Sequence, residues 1–122
     1  MSYNIDTWKT KELGNFRIAL AALHAKEDYL DAPTLDIATN TLTFTGRGEG
    51  FELRGRREGD TLVVSHIDNH GEASGTMQEY LIDTVFPHSA GYLHAVLVWE
   101  GGDTIERLQV RDGQIETEEI EL

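Results

Sequence analysis

Two dipeptides, Gly101-Gly102 and Asp112-Gly113, each separate runs of alternating apolar and polar residues, and nothing else in the chain constrains its fold as tightly. Such pairs accept positive φ at both central positions of a two-residue hairpin loop, and a loop that short fixes the register of the strands beside it. Tyr92–Glu100, Thr104–Val110 and Gln114–Ile120 are then expected as three consecutive antiparallel strands. Their register sets Trp99 opposite Thr104, Val98 opposite Ile105, Val96 opposite Arg107, Ala95 opposite Leu108 and Leu93 opposite Val110. The second hairpin sets Val110 opposite Ile115, Leu108 opposite Thr117, Arg107 opposite Glu118 and Ile105 opposite Ile120. Two apolar rows emerge on opposite faces, Leu93–Val110–Ile115 and Val98–Ile105–Ile120. A slip of one residue would scatter both rows. Each face therefore needs a cover.

The middle of the chain supplies a second meander. Asn40–Thr45 alternates with Leu42 and Phe44 on one side, and Gly46–Gly50 turns the chain. Phe51 and Leu53 continue on one side of the next strand, Glu58-Gly59 turns again, and Asp60–Asp68 runs around Leu62, Val63, Val64 and Ile67. The period then changes. Met77, Tyr80, Leu81 and Val85 recur at helical spacing, Thr76 and Glu79 have the form of a capping box, and Pro87 ends the segment. A helix is expected at about 75–86. Residues 11–30 suit either element: Leu13, Phe16, Leu20 and Leu23 fit a helix capped by Asn15, while Phe16, Ile18, Leu20 and Ala22 fit a strand. The propensity of Ala19–Leu23 favours the helix, which would also cover the second sheet face. The architecture expected is α+β: a single antiparallel, curved sheet in β3-α-β3 order, one helix at 75–86, an N-terminal helix, and residues 1–122 as one domain. The competing arrangement makes 16–23 a strand and closes the sheet toward a barrel. Trp99 shares the parity of Leu93, Ala95 and Leu97 and is expected in the core; Trp8 is expected to pin the N-terminal segment to the body.

Charge narrows the partners. The chain has 122 residues, 22 acids, 10 lysines and arginines, and a formal charge of −12. The excess is uneven, because residues 72–122 carry 11 acids against Arg107 and Arg111 alone, a net of −9. Nucleic acid and anionic membrane surfaces are thereby disfavoured. Without cysteine, disulfides and thiolate chemistry are excluded. No apolar run approaches the ~20 residues of a membrane span, and the first residues lack the pattern of a signal peptide, so a cytoplasmic location is expected. Arg54, Arg56 and Arg57 form a basic cluster flanked by Glu52 and Glu58, and are expected to pair with acids.

One cluster carries metal-ligand chemistry. His66, Asp68, His70 and Glu72 recur at period two, so an extended chain would project them from one face toward one divalent ion, with His94 and Tyr92 able to complete the set. A strand end running into a polar loop at Gly71–Gly75 produces the same pattern without a metal. Gly71–Thr76 lacks the spacing and the Lys of a phosphate loop and fits a helix cap. No serine lies in a nucleophile elbow. Glu100 and Asp103 face each other at a hairpin tip and are expected to splay into water. The leading functional expectation is a non-enzymatic interaction domain of inhibitor, immunity or adaptor type, needing no cofactor and offering an acidic surface to a basic protein. The alternative is a small metal-dependent or ligand-binding enzyme using His66, Asp68, His70 and His94. A third expectation is a homodimer formed through a sheet edge.

Overall fold

The computed structural model of the chain describes residues 4–24, 30–46, 51–74, 79–99 and 104–121, with the backbone alone at 4–7, 24, 69–74, 104 and 121. Strand accounts for most of it. β1 (Asn4–Ala19) leads through the short helix α1 (Leu20–His24) into β2 (Thr34–Asp36), β3 (Thr41–Thr45), β4 (Phe51–Glu58) and β5 (Thr61–Ser74). A single π-helical turn (Leu81–Val85) and a 3-10 turn (Phe86–His88) then precede β6 (Ser89–Trp99), β7 (Thr104–Arg111) and β8 (Gln114–Glu121). The eight strands form one antiparallel sheet in the order β2-β3-β4-β5-β1-β6-β7-β8.

This corrects the α+β architecture. The N-terminal helix is replaced by a 16-residue strand, and helix begins only at Leu20. Position explains it. β1 fills the slot between the two meanders, with β5 on one side and β6 on the other, so its backbone groups are satisfied along both edges. A gain of two ladders outweighs the few tenths of a kcal/mol per residue by which Ala and Leu favour helix. The β3-α-β3 order fails for the same reason, since neither meander is complete without β1. The helix at 75–86 is reduced too. Residues 75–78, and with them Met77 and the Thr76 cap, lie outside the described residues; Tyr80, Leu81 and Val85 are buried as their spacing requires, but the last turns are π and 3-10, and Pro87 sits inside the 3-10 turn. β5 also runs on to Ser74, where a loop from Gly71 was expected.

The C-terminal register is as the loops dictate. The pairs Val98–Ile105, Val96–Arg107, Ala95–Leu108, Leu93–Val110, Val110–Ile115, Leu108–Thr117, Arg107–Glu118 and Ile105–Ile120 are present, and the β6–β7 register is described as far as Val98–Ile105, one short of Trp99–Thr104. Asp112 and Gly113 take φ of 48° and 81°. Gly101-Gly102 and the Glu100/Asp103 tip lie outside the described residues.

One face of the sheet carries the core. Phe16 and Ile18 of β1, Leu42 and Phe44 of β3, Phe51 and Leu53 of β4, and Leu93, Ala95 and Leu97 of β6 alternate inward, joined by Leu108 and Val110. α1 and the π-helical turn lie on that same face, where the Tyr80 hydroxyl donates to the Ala22 carbonyl at 3.3 Å. Phe16 and Phe86 meet edge to face with centroids 5.8 Å apart. Trp8 is only 4% exposed, and its indole N–H donates to Thr10 Oγ1, which in turn donates to the Ile67 carbonyl. Trp99 is partly buried against the core. The opposite row, Val98, Ile105 and Ile120, stays half-buried and outside the core cluster. The second cover expected from an N-terminal helix is thus not provided by α1.

Candidate functional site

The metal-ligand cluster is only partly brought together. His66 lies on the solvent-facing side of β5, 3.2 Å from Glu52 of the neighbouring strand. Asp68 is half-buried on the same strand and pairs across the ladder with Glu52. His70 pairs with Thr7 through the backbone, and its side chain and that of Glu72 lie outside the described residues. His94 stands on β6, across β1 from His66, with Glu12 and Gln109 as its cross-strand neighbours. Two strand spacings, with β1 between them, put their backbones about 10 Å apart. Among the described residues no three His, Asp or Glu side chains are grouped to hold a metal. The His94 Nε2 atom is enclosed and lacks a hydrogen-bond partner.

The arginine cluster behaves as its flanking acids indicate. Arg56 pairs with Glu58 at 3.0 Å, Arg54 approaches Glu52 at 3.8 Å, and Arg17 of β1 reaches Glu58 at 2.8 Å. The Arg17 hydrogen bond, followed by the nearby Arg56 charge, holds the Glu58 carboxyl below the usual carboxylate range.

The C-terminal hairpin presents the unspent chemistry. On the outer face, Tyr92, Arg111 and Gln114 form one cross-strand row, His94, Gln109 and Glu116 the next, and Val96, Arg107 and Glu118 a third. The Arg111 guanidinium lies over the Tyr92 ring at 4.7 Å, and Gln109 Nε2 donates to the Tyr92 hydroxyl at 3.0 Å. These side chains, with Gln114 and Glu116, line a cleft of about 350 Å³. A second cleft, of about 400 Å³, is lined by Arg107, Gln109, Ile115, Glu116, Thr117 and Glu118, and so draws on residues of both parities of β8.

β8 is the long free edge of the sheet, since β7 is its only strand neighbour among the described residues. Its solvent-exposed side chains include Glu116, Glu118 and Glu119, and Glu118 is 66% exposed even while it meets Arg107 at 3.4 Å. Backbone donors are exposed with them. Arg111 and Gln114 flank the two-residue loop as a hydrogen-bonded pair, and pairs alternate from there. Thr117 and Glu119 consequently fall in non-hydrogen-bonded pairs with Leu108 and Glu106, and their N–H groups point away from β7.

On the inner face the same strand makes an unfavourable pair that the sequence reading passed over. Glu106 has the parity of Leu108 and Val110, stands opposite Leu97 on one side and Glu119 on the other, and its carboxyl is pushed above the usual range, first by burial and then by the Glu119 charge. A carboxyl raised in the folded state costs stability where it is ionised, above its folded pKa, and the cost disappears as pH falls through and below that range. Glu106→Gln is therefore expected to raise the melting temperature at about pH 8, with the gain shrinking toward zero by about pH 4, as followed by thermal melts across that window. A gain that is flat with pH would contradict the account.

Scans against protein-family models, curated proteins and solved structures find no match to this chain, so its function has to be argued from this geometry.

Proposed function

We propose that this chain is a non-enzymatic interaction domain that recognises a basic, extended segment of a partner protein along β8. The observation that carries the proposal is the coincidence, on one free strand, of outward-pointing amides at Thr117 and Glu119 with exposed carboxylates at Glu116, Glu118 and Glu119. An added strand gains main-chain hydrogen bonds from the first and pairs lysines or arginines with the second. Ile120 and Ile105, half-buried on the outer face, offer such a strand an apolar contact beside the charges. The cleft that straddles β8 lies along the same path.

Charge also argues against a second copy of the chain as the occupant. Two β8 strands paired edge to edge would set glutamates against glutamates, and like charges directly across a ladder destabilise it. A basic strand turns each of those repulsions into an attraction.

The probe is a synthetic peptide of about ten residues alternating Lys and Val, which offers a β-strand with one cationic face. Binding measured by calorimetry is expected at low ionic strength and to weaken steeply as salt screens the surface. Glu116→Gln and Glu118→Gln combined, on the outer face that the lysines would meet, should weaken it by at least about tenfold. Thr117→Pro should also abolish it, because proline there removes an edge donor and leaves the β7 ladder intact. Wild-type affinity in either variant, or an equal response to a Glu–Val peptide, would refute strand addition at β8.

A further inference from the structure

The outer-face cleft at the loop end of the last hairpin holds opposite charges that do not neutralise each other. Arg111 and Glu116 occupy diagonal positions across the β7–β8 ladder, since Arg111 pairs with Gln114 and Glu116 with Gln109. Diagonal neighbours are about 7–8 Å apart at the backbone, so their charged ends can flank a small guest. Among the described residues neither side chain is in a hydrogen bond or ion pair, and the Arg111 guanidinium lies over the Tyr92 ring, 4.7 Å from the centroid. The ring contact restrains the guanidinium without using its N–H groups as conventional donors to protein oxygens, which leaves them available to a guest. The neutral groups around it are oriented as well. Gln109 Nε2 donates to the Tyr92 oxygen at 3.0 Å, which leaves the Tyr92 O–H proton and the Gln109 carbonyl available.

We propose that this cleft binds a small zwitterion, a free α-amino acid, with its carboxylate on Arg111 and the Tyr92 hydroxyl and its ammonium on Glu116. Three observations converge on that class. The volume, about 350 Å³, lies at the small end of ligand-binding cavities. Its lining supplies one full positive and one full negative charge with amides at Gln109 and Gln114 between them, which matches a dipolar guest and mismatches an apolar one. The protein as a whole carries −12, which repels anions over long range but leaves a net-neutral guest unaffected. The inference shares Glu116 with strand addition at β8 but does not rest on it, because Arg111 and Tyr92 lie outside the edge amides and the other glutamates that the basic peptide would engage.

Nuclear magnetic resonance titration of the ¹⁵N-labelled full chain tests it. The probes are the common L-amino acids, each free, as its amide (ammonium only) and as its N-acetyl derivative (carboxylate only). At least one free amino acid is expected to saturate by about 10 mM with shifts centred on Tyr92, Gln109, Arg111, Gln114 and Glu116. Capping either end should weaken binding by about tenfold or more, as should Arg111→Met, while Asp60→Asn, at the exposed turn between β4 and β5, should leave it unchanged. Tyr92→Phe keeps the stacking ring and loses the hydroxyl, so it should weaken the N-acetyl form's residual binding more than the amide's. Absence of a saturating response with every free amino acid would overturn the proposal. So would capped forms that bind as well as free ones, or full affinity in Arg111→Met.

Discussion

Gly91→Ala is expected to unfold the protein or to reduce its stability by more than about 4 kcal/mol, at the upper end of single-substitution effects. Gly91 lies in β6 at φ 79°, opposite the break in the β1–β6 register between Gly14 and Arg17, where Asn15 is also left-handed at φ 49°. A Cβ at Gly91 would stand 2.1 Å from the Asn15 carbonyl oxygen and 2.6 Å from that of Gly14. Both obstacles are backbone of the central strand, so relief requires β1 and β6 to part. That would also disturb the last hairpin, because the Gly91 amide donates to Asp112 Oδ1 and its carbonyl accepts from the Asp112 amide, both at 2.9 Å. Gly59→Ala is the matched control. Gly59 has φ 58° but nothing within 4 Å of its Cβ position, so it should show only the left-handed penalty of about 1–2 kcal/mol. Urea denaturation of the two variants separates collision from backbone strain. Equal losses would mean that the β1–β6 approach is not tight.

Phe86→Ala should cost about 3–5 kcal/mol, the usual range for emptying a fully buried aromatic site. Phe86 is 0% exposed, sits where the π-helical turn passes into the 3-10 turn, and packs edge to face on Phe16 of β1. It therefore joins the helical connection to the central strand, and its loss removes an aromatic contact as well as buried area. Collapse around the cavity is restricted on the connection side, because Pro87 follows directly and Ser89 Oγ donates to the Phe86 carbonyl at 2.6 Å. At roughly 3–5 °C per kcal/mol for a chain of this size, the melting temperature should fall by about 10–25 °C. Phe86→Leu, which keeps most of the volume, should lose less than half as much. A loss below about 1 kcal/mol for Phe86→Ala would show that the connection does not bear on the core.

Legibility in the sequence followed the range of the interactions. The pairs from Leu93 to Ile120 were readable because Asp112-Gly113 and Gly101-Gly102 set register locally and the apolar rows check it. The same register places Glu106 between Leu97 and Glu119, so the strained carboxyl was open to anyone who followed core parity along β7. β1 was readable only in part: the alternation of Phe16 and Ile18 is that of the strand they occupy, but it did not outweigh the helical reading. Ala19–Leu23 favours helix by propensity, and only the vacancy between β5 and β6, created by residues more than forty positions away, holds the preceding segment extended. The helix expected at 75–86 kept its buried face but not its geometry, since Tyr80, Leu81 and Val85 are set by periodicity while the turn into β6 is set by packing on Phe16. Of the proposed ligand set, His66 and His94 are legible in the sequence only as polar positions on separate strands. Strand order decides their separation, and strand order is a property of the whole sheet.

Recognition along the free edge of β8 is tested most directly by amide hydrogen exchange with the Lys–Val peptide bound. The account predicts that Thr117 and Glu119, whose amides face outward, slow by about tenfold or more at saturation, while Leu108 and Val110, inside the β7 ladder, keep their rates. Protection that appears instead at Thr34–Asp36 on the opposite edge, or no change at Thr117 and Glu119 under saturating peptide, would contradict it.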